Sequence, residues 1–504
     1  MDTWAADAAG SNLSPVFSTR LLGLTRHRLD LALSLGLVLL VGISRWAAFP
    51  ASIWEQDEAY FGSAVRAWDV AVNHPHPPWF PLWIVTGKLL GGLKPSDPAF
   101  GLRIASAVLG TWVLFPLTAL WSRVLRRPLA VAAAALFLST PASWLFAGRA
   151  FSETPATALL VFSLACWLRR AATPAWMGVG SIAAGAAMLI RPQLAPVLLI
   201  PAAWLLWQQR RWRAPILVPI LAAGAVAGAG LILASGGIRP LIDALTQHAE
   251  YHFGALPTAA HDLASSGLAR ALGHPLAALA WVAAALAGSW RSFSSPNARI
   301  LVLGALLPGT ILVLALANPA HARYAVPLLA LSSGLVVVGA RVVLGPATPA
   351  AIALAIAGWA AAVIPELGSY RTGISPPVAA VRAAFREAEA RRAIIIADRT
   401  LVAFVDYVRA SEQASTAVFW DHRIEDRSVP PPPASFAVAV FDRGHDRLYR
   451  SAQEQRTFSC GSPLLRTLSQ DRFLEVTVAN GVEVEGYTPG KPLILIGGEP
   501  GGAK

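Results

Sequence analysis

The chain has 504 residues, of which 55% are hydrophobic and 14% are charged, and its net charge at pH 7 is +12. Soluble domains usually carry about 25% charged residues, so this composition excludes an ordinary soluble enzyme and predicts a polytopic membrane protein. The arginines fall in short loops between apolar runs, so we expect no nucleic-acid partner despite the positive charge. The two cysteines, Cys166 in an apolar run and Cys460 in a polar region, predict no disulfide framework.

The first 28 residues are polar and end in a basic cluster. They precede a long apolar run, which favours an uncleaved signal anchor over the alternative of a cleaved signal peptide. We therefore predict that residues 1–28 form a cytoplasmic tail and that residues 29–366 form the membrane domain.

The membrane domain is predicted to be all-α. A bilayer-crossing helix needs about 20 mostly apolar residues, and about eleven runs approach this length. The predicted spans are 31–49, 102–121, 129–146, 155–168, 175–190, 194–207, 216–238, 271–290, 300–317, 324–340 and 342–364. A shorter apolar piece, 79–93, carries Lys88, and we expect it to dip into the membrane or lie on it.

The loops between the spans predict an orientation. Cytoplasmic loops are rich in Lys and Arg, and a cytoplasmic N-terminus makes every inner loop basic: 122–128, 168–174, 208–213, 291–299 and the turn at Arg341. The outer loops then hold nearly all remaining ionisable groups of this half. The sequence thus predicts a multi-pass protein of the inner (plasma) membrane, with a layer of reactive side chains at its outer face.

Residues 367–504 predict a small extracytoplasmic α/β domain. Buried strands are expected at 393–398, 416–420 and 435–442, with helices at 401–409 and 443–455. A hairpin is expected at 475–487, turning at Asn480–Gly481. Four prolines at 430–433 predict a stiff linker, and the last residues have a disordered composition.

The first outer loop opens with a carboxylate pair, Asp57 and Glu58. One interpretation is helix capping, with Asp57 at the N-cap of a helix that runs through Trp68. Phe61, Val65 and Trp68 would give that helix an apolar stripe suited to a membrane or to another helix. The functional interpretation is a carboxylate held at the outer surface as a general base or a metal ligand.

Two histidines follow in the same loop, His74 and His76, each before a proline. Proline restricts the backbone of the residue that precedes it, so both side chains are presented rigidly. They form either a stiff surface turn or a donor to a phosphate oxygen.

Charged residues also stand at the outer ends of later spans. Arg149 and Glu153 lie between the third and fourth spans, where Arg149 could snorkel and Glu153 could cap a helix. Arg191 lies in a tight outer turn, and Arg323 with Tyr324 begins the tenth span. The positive-inside rule disfavours arginine on this side, which favours a functional role.

The loop at 239–270 carries His248 and His252, four residues apart, and then His261. Such spacing can bind zinc. No cysteine or acidic third ligand stands at a fixed distance, so interfacial histidines are the favoured interpretation.

Together these stretches resemble the GT-C glycosyltransferases that use polyprenyl-phosphate sugars, above all the protein O-mannosyltransferases and the lipid A 4-amino-4-deoxyarabinose transferases. The likeness covers about residues 30–340. It rests on the order and common outer side of five motifs: DEAYF (57–61), HPPW (76–79), GRAFSETP (148–155), IRPQ (190–193) and ARYAVP (322–327). The resemblance implies membrane-lying helices in the first outer loop and an outer C-terminal domain.

By this resemblance Asp57 is the catalytic carboxylate and Glu153 the second acidic residue. His76, Arg191 and Arg323 contact the donor phosphate or sugar. Many relatives carry Lys where this chain has His76, which predicts a phosphate contact that depends on pH near the ordinary histidine pKa of about 6.5. The expected substrate-binding set is completed by Glu58, His74, Arg149 and Tyr324.

The resemblance implies an inverting transfer of a sugar from a polyprenyl-phosphate donor in the lipid bilayer to an extracytoplasmic acceptor: an envelope glycan, a glycolipid such as lipid A, or a protein. A divalent cation at Asp57, Glu58 or Glu153 is left open. The alternatives are a transporter or flippase for a lipid-linked substrate, and a membrane scaffold. Transporters place ionisable groups near mid-membrane, whereas these spans are nearly uncharged.

Overall fold

The structure is a computed structural model, and most of the chain can be described from it. The described residues are 35–169, 171–254, 266–315, 321–391, 393–397, 401–412, 416, 418–420, 436–442, 454–468, 474–485 and 494–495.

Helices make up most of the described residues between 35 and 363. In chain order they are α1 Leu35–Ala47, α2 Gln56–Arg66, α3 Pro81–Leu90, α4 Phe100–Trp112, α5 Leu114–Trp121, α6 Arg127–Ser139, α7 Pro141–Phe146, α8 Glu153–Trp167, α9 Pro174–Ile190, α10 Ala195–Gln208, α11 Arg213–Ala234, α12 Ile238–Gly254, α13 Gly267–Leu272, α14 Pro275–Ser292, α15 Pro296–Arg299, α16 Leu307–Ala315, α17 Ala325–Leu344 and α18 Thr348–Val363. A π-helical turn, Ile300–Leu306, joins α15 to α16.

These helices make the protein a membrane-embedded one. In the described part of the chain, four stretches are long and apolar enough to cross a bilayer: Phe100–Trp121, Arg210–Ala234, Pro296–Val313 and Ala322–Arg391. Each predicted span overlaps a helix. The total of about eleven crossings stays a prediction, because a helix rises about 1.5 Å per residue and several of these are shorter than a core of about 30 Å.

Helix α8 is the buried centre of the helical half. Nearly all of its side chains are buried, and it packs against α4, α5, α9 and α17. Its first residue is Glu153, so the packing of α8 fixes one predicted site residue at a helix N-terminus.

The first outer loop differs in detail from the expectation. Helix α2 has Glu55 at its N-cap and ends at Arg66, so the prediction of an Asp57 cap and a helix through Trp68 is wrong. Glu58 takes the capping role, because its carboxylate accepts a hydrogen bond from the Glu55 backbone N–H at 3.1 Å.

The C-terminal part combines helices with a small mixed sheet. The helices are α19 Leu367–Thr372, α20 Pro376–Arg391, α21 Val402–Glu412 and α22 Pro463–Leu468; the strands are β1 Ile394–Ala397, β2 Val418–Trp420, β3 Phe436–Asp442, β4 Glu454–Ser459, β5 Glu475–Glu485 and β6 Ile494–Leu495. The order is β2-β1-β3-β5-β4, with β6 paired to β5. Strand β1 is parallel to β2 and β3, whereas β5 is antiparallel to its partners. The three predicted strands and the helix at 401–409 are confirmed.

The predicted hairpin at 475–487 is wrong, because β5 is one continuous strand. The register against β3 shifts from Ala437 opposite Val482 to Ala439 opposite Ala479, so Asn480 and Gly481 form a bulge instead of a turn. Strand β5 lies between β3 and β4, and pairing on both edges holds the chain extended where an Asn-Gly pair would otherwise favour a turn.

Several expectations lie outside the described residues. These are the N-terminal tail, the prolines at 430–433, most of the helix expected at 443–455, and the end of the chain. The last residue of that expected helix, Gln455, belongs to β4.

The C-terminal part is joined to the first outer loop by buried polar contacts. The Tyr407 hydroxyl of α21 donates to Asp97 Oδ1 at 2.6 Å, and Asp97 also pairs with Arg103. Ser375 donates its hydroxyl to the Ile53 carbonyl at 2.5 Å. These contacts fix the segment that carries α2.

Candidate active site

The centre of the site is Asp57, the second residue of α2. Its Oδ2 lies 2.7 Å from Arg323 Nη1 and 3.8 Å from His76 Nε2. The Asp57 side chain is 25% exposed, whereas that of Arg323 is 7% exposed. A partly exposed carboxylate is therefore paired with a buried guanidinium group.

A second carboxylate, Glu153, shares that guanidinium. Glu153 Oε1 lies 3.4 Å from Arg323 Nε and 3.1 Å from Arg191 Nη1. Arg191 also donates to Ser152 Oγ at 2.9 Å. The result is an alternating chain of charges, Asp57, Arg323, Glu153 and Arg191, contributed by four separate stretches of sequence.

Turns at helix ends present the two arginines. Arg191 directly follows α9 in an extended conformation, and Arg323 lies in a short turn before α17. The Tyr324 ring lies 5.2 Å from the Arg191 guanidinium and 5.0 Å from that of Arg323. The Phe151 ring lies 5.1 Å from the Arg323 guanidinium. Such cation–π contacts hold the guanidinium planes.

His76 is held in an aromatic surrounding. Its ring stacks on Phe61 at a centroid distance of 5.5 Å, lies 5.1 Å from Phe80 and stacks on His248 at 6.0 Å. Asp57 therefore lies at the start of α2, and Phe61, one helical turn later, supports the His76 ring.

The electrostatics of the site favour an ionised Asp57. Burial opposes its ionisation, but the charges of Arg323, His76, His321 and Arg191 hold the pKa of Asp57 well below its usual range. Burial raises the pKa of the neighbouring Glu55, against the opposing charges of Arg149 and Arg323. The pKa values of these two carboxyl groups are therefore shifted in opposite directions, although the residues lie two positions apart.

Glu58 and Arg149 form a closed pair beneath this cluster. Arg149 donates to Glu58 Oε2 from Nη2 at 2.6 Å and from Nε at 3.0 Å. Glu58 also accepts from the backbone N–H groups of Trp54 at 2.8 Å and Ala150 at 2.9 Å. Both residues are fully buried. This geometry joins α2 to the turn before α8.

His74 lies apart from the charged chain. Its Nε2 is 3.6 Å from Asp406 Oδ2, and Asp406 belongs to α21. Of the predicted site residues, the structure therefore assembles Asp57, His76, Glu153, Arg191, Arg323 and Tyr324, places Glu58 and Arg149 beneath them, and places His74 at the contact with the C-terminal part.

Three further residues of the site had no sequence signal of their own. Glu55 and Ser152 are buried polar residues next to predicted ones, and His321 acts on Asp57 through its charge. Each of them lies within two residues of Asp57, Glu153 or Arg323. That proximity is the only feature of the sequence that distinguishes them.

The carboxylates considered for a divalent cation are paired with arginines in the structure. Among the described residues, no group of three or more His, Cys, Asp or Glu side chains is arranged to hold a metal ion. The charge of Asp57 and Glu153 is met by Arg323, and that of Glu58 is met by Arg149. Of the histidines considered for zinc, the His252 side chain and His261 lie outside the description.

Neither a family model nor a curated protein sequence matches the chain. Solved structures do. ArnT from Cupriavidus metallidurans bound to undecaprenyl phosphate aligns with a TM-score of 0.51 and 14% identity, covering 89% of this chain and 98% of that one. The archaeal oligosaccharyltransferase AglB from Archaeoglobus fulgidus, in complex with an inhibitory peptide and a dolichol-phosphate, aligns with a TM-score of 0.45 and 12% identity, covering 80% of this chain and 69% of that one.

ArnT and AglB both have the GT-C fold. At 14% identity, the alignment with the undecaprenyl-phosphate complex shows a shared fold over nearly the whole of both chains. The resemblance drawn from the five sequence motifs is thereby confirmed: this chain is similar in fold to the GT-C glycosyltransferases.

Proposed function

We propose that the chain is a membrane glycosyltransferase that moves a sugar from a polyprenyl-phosphate donor to an acceptor on the outer side of the membrane. The observation that carries the proposal is the alternating cluster of Asp57, Arg323, Glu153 and Arg191 at the helix ends. The fold likeness to ArnT, which was crystallised with undecaprenyl phosphate, supports a lipid phosphate as the ligand of such a cluster.

Arg323 and Arg191 are proposed to bind the donor phosphate. Guanidinium groups pair with phosphate oxygens through two parallel hydrogen bonds. Glu153 contacts both arginines, so we assign it the role of orienting them. Tyr324 stacks beneath both guanidinium groups and restricts their rotation.

Asp57 is proposed as the general base. Its carboxylate accepts the proton of the acceptor hydroxyl, whose oxygen attacks the anomeric carbon opposite the phosphate. The bond between that carbon and the phosphate oxygen breaks, and its electron pair leaves with the polyprenyl phosphate. The configuration inverts in one displacement through a transition state with oxocarbenium character. A positioned base contributes about 10²- to 10⁴-fold to such a step.

The leaving group carries more negative charge than the donor. Asp57 and Glu153 already balance the two arginines, and a phosphate monoester carries about −1.5 to −2 charges near neutral pH. His76 lies beside Asp57 and supplies a further positive charge in its protonated form. This assigns His76 to the stabilisation of the departing phosphate.

Glu58 and Arg149 are proposed to support the site from below, since both are buried and bonded to each other. His74 is proposed to fasten the loop to α21 through Asp406. Neither assignment requires contact with the donor.

The proposed orientation places the cluster on the extracytoplasmic side of the plasma membrane and the N-terminus in the cytoplasm. It is supported by the basic loops that connect the opposite ends of the helices, where Arg126, Arg210, Arg291 and Arg341 lie. The same orientation exposes the C-terminal part, residues 367–504, on the outer side.

The test uses the full chain reconstituted in proteoliposomes with radiolabelled polyprenyl-phosphate sugars, with and without chelator. The proposal predicts release of the label from the lipid and its appearance on an envelope-derived acceptor. A transporter or flippase would move the intact donor across the bilayer with the sugar still attached, and that result would contradict the proposal. We expect transfer to persist with chelator, because Asp57, Glu58 and Glu153 are already paired with arginines.

A further inference from the structure

A polar cavity lies far from the charged cluster, at the other ends of α14 and α17. These helices pack with their backbones in contact. A Cβ atom added at Gly288 would overlap the Leu335 carbonyl, and one added at Gly339 would overlap the Ala284 carbonyl. Such close packing through small residues is typical of membrane helices, and it fixes the positions of the residues that follow on both helices.

Beyond this contact the two helices present Arg291 and Arg341, which line a cavity of about 380 Å³. Three serines from the end of α14 and the turn after it, Ser292, Ser294 and Ser295, line the same cavity. The cavity therefore offers two guanidinium groups and three hydroxyl groups as hydrogen-bond donors.

The charge of this cavity is unbalanced. No carboxylate is among the described residues that line it. Neither Arg291 nor Arg341 forms an ion pair with any side chain in the described part of the chain. Paired arginines with adjacent hydroxyl groups favour an oxyanion with several acceptor atoms, and phosphate has this form.

The rest of the wall is apolar and reaches the exposed surface of the helices. Val124, Leu125, Val338 and Val342 line the cavity, and Val342 is 55% exposed. Trp290, directly before Arg291, is 88% exposed, as is typical of an aromatic residue at a membrane interface. A ligand with a phosphate at one end and hydrocarbon at the other matches this surface.

The distance from the proposed donor site excludes one phosphate group that contacts both sites. Arg323 precedes α17 and Arg341 lies in its last turn, so the two arginines are about 27 Å apart along a helix that rises about 1.5 Å per residue. This separation is close to the thickness of a bilayer core, about 30 Å. The two sites therefore lie at opposite membrane surfaces.

We propose that this cavity binds the phosphate headgroup of an anionic phospholipid in the leaflet at the basic ends of the helices. The headgroup phosphate contacts Arg291 and Arg341, and the serine hydroxyl groups donate to its remaining oxygens. The acyl chains lie along the apolar surface that includes Val342. Basic pockets between membrane helices on this side of a membrane are known sites for anionic headgroups.

The test uses the full chain in nanodiscs of phosphatidylcholine with and without phosphatidylglycerol, followed by native mass spectrometry of the released protein. Wild type is expected to retain phosphatidylglycerol in preference to phosphatidylcholine. Arg291→Gln/Arg341→Gln is expected to lower that retention at least about tenfold, because it removes both guanidinium donors to the phosphate. The matched control is Arg213→Gln/Arg299→Gln, which removes two exposed arginines outside the cavity and keeps the retention.

Two results would overturn the proposal. One is equal loss of phosphatidylglycerol in both double variants, which would reveal a diffuse charge effect. The other is a thermal shift of wild type with inorganic phosphate alone, without retention of either lipid, which would identify a soluble anion as the ligand. The comparison of the two lipids uses wild-type protein alone, so it still tests the proposal if a variant fails to fold.

Discussion

Arg323 Nη1 lies 2.7 Å from Asp57 Oδ2, although the two residues come from opposite ends of the membrane domain in sequence. The same guanidinium contacts Glu153. One arginine thus sets the charge state of the proposed base and joins it to the second carboxylate. Its removal should change how activity depends on pH.

The first prediction concerns Arg323→Gln. Asp57 has a depressed pKa because Arg323 and its neighbours outweigh burial, so wild type should keep Asp57 ionised down to below its ordinary pKa of about 3.9. Without Arg323, burial dominates and the pKa of Asp57 rises. The acid limb of kcat/KM should then move to higher pH, in addition to a loss of about 10²- to 10³-fold in rate.

The stability of the folded protein should also depend on pH through the depressed pKa of Asp57. A carboxyl group with a depressed pKa stabilises the folded state above its unfolded pKa, and this contribution is lost as the pH falls. The difference in melting temperature between wild type and Arg323→Gln should therefore be constant above about pH 5 and shrink below about pH 4. An unchanged acid limb in the variant would show that Asp57 does not set it.

The second prediction separates a structural from a substrate-binding role for Glu58. Removal of one partner of a buried ion pair costs about 3–5 kcal/mol, so Glu58→Gln should lower the melting temperature strongly. It would leave Arg149 with only the longer contact to Glu55 Oε1 at 3.9 Å. The protein that remains folded should bind the donor with an unchanged KM. The double variant Glu58→Gln/Arg149→Met should be destabilised by less than the sum of the destabilisations of the two single variants. Normal stability with a raised KM would place Glu58 in contact with substrate.

The third prediction concerns the link between α21 and the first outer loop. Tyr407→Phe removes the hydrogen bond to Asp97 and keeps the ring. The loss in the free energy of unfolding should be near the lower end of about 1–3 kcal/mol, because Asp97 keeps Arg103 as a partner. Faster hydrogen exchange in residues 56–66 and 402–412 is the expected signature. Unchanged exchange in both helices would mean that this bond does not hold them together.

The fourth prediction compares two histidines of one loop. His76→Gln should lower kcat/KM by at least about tenfold, because His76 lies beside Asp57 and is assigned to the leaving phosphate. His74→Gln is the matched variant. It should leave the KM for the donor unchanged and loosen the contact with α21, since His74 pairs with Asp406. Equal effects of the two substitutions on kcat/KM would contradict this division.

The sequence predicted the parts of the site that stand out against an apolar background. Asp57, Glu153, Arg191 and Arg323 are charged residues at the ends of apolar runs, and such residues are costly near a membrane unless they have a function. Helix α17 was predicted close to its observed bounds by hydrophobicity alone. The hydrophobicity pattern of the sequence therefore identified these residues, whereas their pairing could be seen only in the three-dimensional structure.

Other features depend on contacts that are distant in sequence. The pairing of Glu58 with Arg149 fills the core beneath α2, and a charge pattern does not distinguish such a residue from its exposed neighbour Asp57. Asn480 and Gly481 carry a strong local turn signal, yet both lie within one strand. Asn480 pairs with Glu454 of β4, and the residues on either side, Ala479 and Val482, pair with β3. In both cases tertiary packing outweighs the local preference.

The account rests on Asp57 as the proton acceptor. The most direct measurement is transfer of radiolabelled sugar by Asp57→Asn in proteoliposomes, beside Asp69→Asn, an exposed carboxylate of the same loop whose asparagine can still accept from Ala71 N–H. We expect Asp57→Asn to fold normally and to lose at least about 10²-fold in rate, whereas Asp69→Asn retains full transfer. Turnover by Asp57→Asn at the wild-type rate would contradict the account.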